Sequence, residues 1–121
     1  LIRAAVQEAA RECHIASLLH AAAETVGGKG AQRVMNCYGT NIPSGSSSKQ
    51  LSRSEPLYLL LENCGADDLT KFMSKQAKAG TLTADLVVNI FKQIVEGLDF
   101  MATLDPPWIH HDLKPDNIVV K

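Results

Sequence analysis

Apolar residues recur along the first stretch of the chain at three- and four-residue steps, at Val6, Ala9, Ala10, Cys13, Ala16 and Leu19. With abundant alanine and neither proline nor glycine before Gly27, that spacing predicts a helix over 1–26. Gly27-Gly28-Lys29-Gly30 then ends it, because glycine gives up helical order most readily. Arg33 to Gly39 reads as a short strand. Asn41 to Pro56, with Pro43, Gly45, three consecutive serines and few apolar positions, reads as a mobile connection. In it, Ser52 and Ser54 flank Arg53 as candidate modification sites, although on composition alone a solvated loop is the favoured reading. Leu57-Tyr58-Leu59-Leu60-Leu61-Glu62, with its apolar core of three leucines, reads as a buried strand. Asp68 is placed to cap a short helix reaching about Lys78, and Thr83 to cap a longer one. The longer helix carries Leu86, Ile90, Ile94, Leu98 and Met101, flanked by Val87, Phe91 and Val95. So broad an apolar face implies heavy burial. Asp105-Pro106-Pro107 ends that helix, since proline lacks an amide donor and restricts the residue before it. A loop over 110–117 and a strand at Ile118-Val119-Val120 follow. No repeat is visible. The order of helix, two strands, two helices, loop and strand defines an α+β chain.

Length and composition narrow the possibilities. The 121 residues suffice for one modest core. Hydrophobic residues make up 45% and charged residues 21%, as in ordinary globular chains. A net charge of -1 gives no long-range pull toward nucleic acid or an anionic membrane. No apolar run approaches a membrane span. Cys13, Cys37 and Cys64 form no CxxC pair, and His14, His20, His110 and His111 complete no zinc pattern with them. Reduced thiols in an intracellular, by default cytoplasmic, compartment are the simplest expectation. Leu1-Ile2-Arg3 leads straight into an amphipathic stretch with no secretory signal, and the absence of an initial methionine points either to a natural start farther upstream or to its removal by processing.

The chemistry concentrates in Ile109-His110-His111-Asp112-Leu113-Lys114-Pro115-Asp116-Asn117-Ile118-Val119-Val120. This stretch resembles the catalytic loop of protein kinases, H-R-D-L-x-x-x-N, with only His111 departing, where arginine is usual. Lys114-Pro115 resembles the serine/threonine branch. The resemblance implies that Asp112 orients a substrate hydroxyl and takes its proton, and that Lys114 meets the transferring phosphate. It further implies that Asn117 offers an amide oxygen to magnesium, a hard ion that prefers oxygen. Pro115 keeps the segment from becoming a helix, so the three side chains can converge. A chance polar loop after a buried helix is the competing reading.

Neighbouring segments resemble the same family in the same order. Leu57 to Gly65 looks like the fifth strand and hinge, which implies that Leu61 faces the adenine and that backbone groups of Glu62 and Cys64 bond the base edge. Asp67 or Asp68 falls where the family approaches the ribose, a role that competes with Asp68 as a plain helix cap. Cys64 is either a reachable thiol beside the nucleotide or an inert hinge residue. Arg11 to Leu19 resembles the regulatory helix, which makes Glu12 the partner of a lysine expected before residue 1. Glu8 is an alternative one turn earlier, and Ala16 is smaller than the family's usual residue.

The resemblance thus implies a partial kinase-like fold. Residues 1–61 would be a remnant of the N-lobe with a flexible loop at 41–56, 62–67 the hinge, and 68–121 the start of the C-lobe. The 121 residues hold no G-x-G-x-x-G loop, V-A-I-K lysine, D-F-G or A-P-E. Gly27-Gly28-Lys29-Gly30 is not a phosphate-binding loop either, since the G-x-x-x-x-G-K-[ST] spacing is missing. The expectation is a piece of an ATP- and magnesium-dependent serine/threonine kinase acting on protein substrates, inactive alone. The alternatives are a pseudokinase or truncated binding module, and a small-molecule phosphotransferase of related fold. Exposed apolar faces on the isolated chain are expected as well.

Overall fold

The computed structural model describes residues 2–42 and 56–121; most of the connection expected at 41–56, with Ser52, Arg53 and Ser54, lies outside them. Helix α1 runs over Ile2–Val26 and stops at Gly27 and Gly28, as expected. A 3-10 turn over Gly30–Arg33 follows, then strand β1, Cys37–Thr40. Strand β2, Leu59–Leu61, pairs antiparallel with β1 in the register Cys37↔Leu61, Gly39↔Leu60 and Thr40↔Leu59, which leaves Tyr38 as a bulge. Asn41 brackets the two strands, donating from Nδ2 to the Pro56 carbonyl at 2.8 Å and accepting from the Tyr58 amide at 2.9 Å.

Strand β3, Asp67–Asp68, leads directly into helix α2, Leu69–Ala79, and helix α3 follows over Ala84–Ala102. Each helix begins at the cap anticipated for it. The Asp68 carboxylate accepts from the Lys71 amide at 2.8 Å, and the Thr83 hydroxyl from the Leu86 amide at 3.2 Å. Gly80 closes α2 at φ +69°, a left-handed conformation that costs glycine little and side-chained residues more. Thr83→Ala removes the partner of a helix-end amide. It is expected to cost about 1 kcal/mol in urea unfolding, whereas Thr83→Ser should be nearly silent.

The core lies where α1, the 3-10 turn and the end of α3 meet. Leu19, Phe100 and Met101 are buried there, with Ile15, Ala22, Ala23, Ala31, Val34, Leu104 and Trp108 packed around them. The turn approaches α3 closely through glycine: a Cβ at Gly30 would collide with the Glu96 carbonyl and the Phe100 side chain. Arg33 secures the same contact by an ion pair with Glu96 at 3.2 Å.

Three expectations need correction. Arg33 belongs to the 3-10 turn rather than to a strand, because its neighbours pack on α3 before the chain extends. The apolar run at 57–62 is a short, half-covered strand, with Leu60 65% exposed, since among the described residues its sheet has only two strands. Burial on α3 is confined to Gly97, Phe100 and Met101, while Val87, Val88, Phe91 and Val95 stay exposed. Among the described residues the first half of α3 has only α2 beside it, and Leu69, Met73, Val87, Ile90, Phe91 and Ile94 line a shallow apolar groove there. The expected exposed apolar faces are therefore present.

The thiols also differ from expectation. Cys13 and Cys37 form a disulfide, with Cα atoms 5.2 Å apart, and only Cys64 is free. The two are 24 residues apart in sequence and meet because α1 lies on β1, a contact no spacing rule reveals. No described helix is long and apolar enough to cross a membrane.

Candidate functional site

The loop after α3 is anchored where it begins, by a hydrogen bond from the Trp108 amide to the Met101 carbonyl at 2.9 Å. His111 then takes φ +62°, and the Asp112 amide donates back to the His110 carbonyl at 2.9 Å. That bond closes a three-residue γ-turn whose positive φ is strained for a side chain larger than glycine. The same amide reaches the His110 ring at Nδ1, 3.3 Å away.

Beyond the turn, Lys114 is extended and Pro115–Asn117 form a single 3-10 turn with proline at its start. Proline suits that position, since its fixed φ is already helical and its missing amide is not needed. The turn swings Asn117 back toward Asp112. Its Nδ2 donates to the Asp112 carbonyl at 2.8 Å and to Asp112 Oδ2 at 3.0 Å. Lys114 Nζ lies 3.2 Å from the same Oδ2. The three residues singled out from the motif therefore converge on one carboxylate oxygen.

Those contacts determine the electrostatics. The Lys114 ammonium first, then the Asn117 amide, hold the Asp112 carboxyl below the ordinary aspartate range. Because the folded group has the lower pKa, its pairing is complete above the unfolded value and is lost as pH falls through the folded one. A carboxyl-carbon NMR titration should place the Asp112 midpoint below 3.8, and Lys114→Ala should move it upward. Among the described residues no hydrogen bond reaches Asp112 Oδ1 or Asn117 Oδ1. The loop thus presents a carboxylate oxygen able to accept a hydroxyl proton and an amide oxygen able to ligate a hard cation, beside an ammonium.

Helix α2 holds the far side of the loop. Its Leu69 amide donates to the Ile118 carbonyl at 2.7 Å, and the Thr70 hydroxyl donates to Asp116 Oδ1 at 2.7 Å. Strand β4, Val119–Val120, pairs with β3 in the register Asp67↔Val120 and Asp68↔Val119. Gly65, at φ +131°, lets this pair close, since a Cβ there would run into the Val120 carbonyl. The loop is consequently clamped between α3 and the α2 start.

The hinge-like segment is built differently. Leu61 ends β2 opposite Cys37 and is 40% exposed. The Glu62 amide is engaged with the Asn36 carbonyl at 2.9 Å. The Glu62 carbonyl and both backbone groups of Cys64 have no hydrogen-bond partner among the described residues. The Glu62 side chain, to which the sequence assigned no task, accepts from the Asn36 amide at 3.2 Å and lies 3.4 Å from Lys121 Nζ. Burial, reinforced by the Glu62 carboxylate and opposed by Lys121, pushes the Cys64 thiol up, which makes it a poor nucleophile near neutral pH. Asp68 is a helix cap that also pairs with Lys71 at 2.9 Å, and Asp67 pairs with Lys75 at 2.6 Å. Glu12 stands exposed on α1 and makes no ion pair among the described residues, nor does Glu8. The structure therefore gathers Asp112, Lys114 and Asn117, and leaves Glu12 apart from them. Among the described residues no group of three histidine, cysteine, aspartate or glutamate side chains could hold a metal.

Comparison with known proteins agrees with this loop. The profile of the protein kinase domain matches residues 32–121. The chain is 33% identical over 104 residues to the fission yeast (Schizosaccharomyces pombe) serine/threonine-protein kinase ppk30, covering 85% of this chain and 10% of that protein. It is 41% identical over 61 residues to the serine/threonine-protein kinase tousled-like 2 of Xenopus tropicalis, covering 50% of this chain and 8% of that protein. The actin-regulating kinase PRK1 of Saccharomyces cerevisiae is 31% identical over 64 residues, 53% of this chain and 8% of the relative. No solved structure matches significantly. The chain belongs to the protein kinase domain family, and it spans about a tenth or less of the length of these relatives.

Proposed function

We infer that the protein containing this chain transfers the terminal phosphate of ATP to serine and threonine hydroxyls of protein substrates, with this chain supplying the catalytic loop and hinge. The observation that carries this reading is the convergence of Lys114 Nζ and Asn117 Nδ2 on Asp112 Oδ2, at 3.2 and 3.0 Å, within a kinase-type loop.

Each residue has a task that its position supports. Asp112, kept ionised by its two donors, accepts the proton of an incoming hydroxyl at its outward Oδ1 and aims that hydroxyl. Lys114 swings its ammonium from the carboxylate to the phosphate as negative charge builds there. Magnesium bound to ATP would supply charge neutralisation, and Asn117 would hold it through Oδ1. The Glu62 carbonyl and the Cys64 backbone groups receive the adenine edge, with Leu61 beside it. Asp68 reaches a ribose only by sharing a carboxylate already committed to the α2 cap. Glu12 contributes by pairing with a lysine outside these residues. The 121 residues alone, without that lysine or a D-F-G aspartate, transfer no phosphate at a measurable rate.

Incubating the full-length protein with labelled ATP, magnesium and a general protein substrate, followed by phosphoamino acid separation, tests the assignment. Phosphoserine and phosphothreonine are expected. Phosphotyrosine alone would overturn the serine/threonine reading. Nucleotide binding without transfer would instead support a kinase-like binding module.

His111 bears on regulation. Histidine cannot fork two bonds to a phosphate as arginine does. Activity is therefore expected to depend weakly on activation-segment phosphorylation, and His111→Arg should increase that dependence. Loss of all activity on phosphatase treatment, unchanged by His111→Arg, would contradict this.

A further inference from the structure

The disulfide joins two elements that both bear on the site. Cys13 and Cys37 are each 5% exposed. On the helix side, Cys13 directly follows Glu12. On the sheet side, Cys37 is paired opposite Leu61, the last residue of β2 before the hinge-like segment. One turn along α1 from Cys13, Ser17 Oγ donates to the Cys37 carbonyl at 3.1 Å. A single covalent link thus ties the helix bearing the candidate ion-pair carboxylate to the strand pair that enters the hinge.

We propose that Cys13 and Cys37 are a reversible thiol–disulfide couple that locks α1 onto β1 and so controls the placement of Glu12. The role of Glu12 rests on the kinase reading; the couple itself does not. Its chemistry balances with glutathione disulfide as oxidant. One cysteine thiolate attacks that disulfide and expels a first glutathione. The second cysteine then displaces another glutathione from the mixed disulfide, closing the Cys13–Cys37 bond. The two protein thiols lose two electrons, and their two protons leave on the two glutathione thiols. In the reduced state the Ser17–Cys37 hydrogen bond and the packing around Leu19 keep α1 docked. The helix then opens more often, because the bond that removed its open states is gone. Burial of both sulfurs means that exchange in either direction passes through local opening, and an uncatalysed interconversion should take minutes to hours, on the order given by ordinary disulfide rearrangement.

The test uses full-length protein equilibrated in reduced and oxidised glutathione mixtures. Non-reducing tryptic maps of the oxidised protein should join peptides 12–29 and 34–49, with a mass lower by two hydrogens, and excess glutathione should separate them. Amide exchange over 7–26 should be roughly tenfold to a hundredfold slower in the oxidised protein. Cys13→Ala and Cys37→Ala, made separately, should each abolish that difference. The turnover number should differ between the two states by about fivefold or more in the unmodified protein only. Thiols that stay alkylatable at every glutathione ratio, pairing of either with Cys64, or equal exchange in both states would overturn the couple. Equal turnover with intact redox-dependent exchange would overturn the link to Glu12. Absence of phosphotransfer in both states would count against the kinase reading, and the map and exchange data would still decide the couple.

Discussion

Replacing Asp112 by asparagine in the full-length protein should lower the turnover number for phosphotransfer by about 10²- to 10⁴-fold, the range expected when a positioned acid–base group is lost. The change removes a charge and a proton acceptor while keeping the volume. The amide can still receive the hydrogen bond from Asn117 Nδ2, which spans 3.0 Å in the native loop. The γ-turn at His111 uses only backbone and ring atoms around Asp112, so the loop should keep its course. The KM for ATP is accordingly expected to change little, because the lost interaction acts on the hydroxyl and not on the nucleotide. Lys114→Ala should also reduce turnover, and combining it with Asp112→Asn should cost less than the product of the separate effects, since both act on one transfer. A variant retaining a tenth or more of the native rate would remove Asp112 from the chemistry.

The second large effect is structural and contrasts two phenylalanines on one helix. Phe100 is 5% exposed in the core shared by α1, the Gly30–Arg33 turn and α3, whereas Phe91 is 65% exposed in the apolar groove beside α2. Phe100→Ala should cost about 3–5 kcal/mol, combining lost apolar transfer with a cavity that the backbone cannot fill. Phe91→Ala should cost far less, because its ring has little burial to lose. Urea unfolding of both variants beside the native chain reads the difference. Against a typical domain stability of about 5–15 kcal/mol, the Phe100 change removes a large share of the total. Equal losses at the two positions would mean that the groove is covered in solution.

Asp112 and the two phenylalanines differ in how far their surroundings are visible in the sequence. The convergence of Asp112, Lys114 and Asn117 was legible because geometry within one short loop is encoded locally, by proline after the lysine and by fixed spacing. The caps at Asp68 and Thr83 were legible for the same reason, since a cap bonds an amide three residues away. Phe91 was expected on the buried face and Phe100 was not singled out, because periodicity shows which side of a helix is apolar and not which neighbour covers it. Arg33 was misassigned for a related reason: its turn is set by the close approach of Gly30 to Glu96 and Phe100, far away in sequence. Cys13 and Cys37 looked like unrelated thiols until α1 was laid against β1. The left-handed turn at His111 was equally hidden, since histidine gives little sign of a positive φ. The clasp of Glu62 on Asn36 and Lys121 is tertiary too: the pairing of β1 with β2 brings Asn36 to it, and the end of β4 brings Lys121.

A crystal structure of the full-length protein with magnesium and a non-hydrolysable ATP analogue addresses the central claim most directly. Magnesium is expected within about 2.1 Å of Asn117 Oδ1, the distance usual for an oxygen ligand. Lys114 Nζ should have turned from Asp112 toward the terminal phosphate, and the adenine should lie against Leu61 and the backbone from Glu62 to Cys64. A nucleotide bound elsewhere, with Lys114 and Asn117 still closed on Asp112 and no metal at the asparagine, would contradict it.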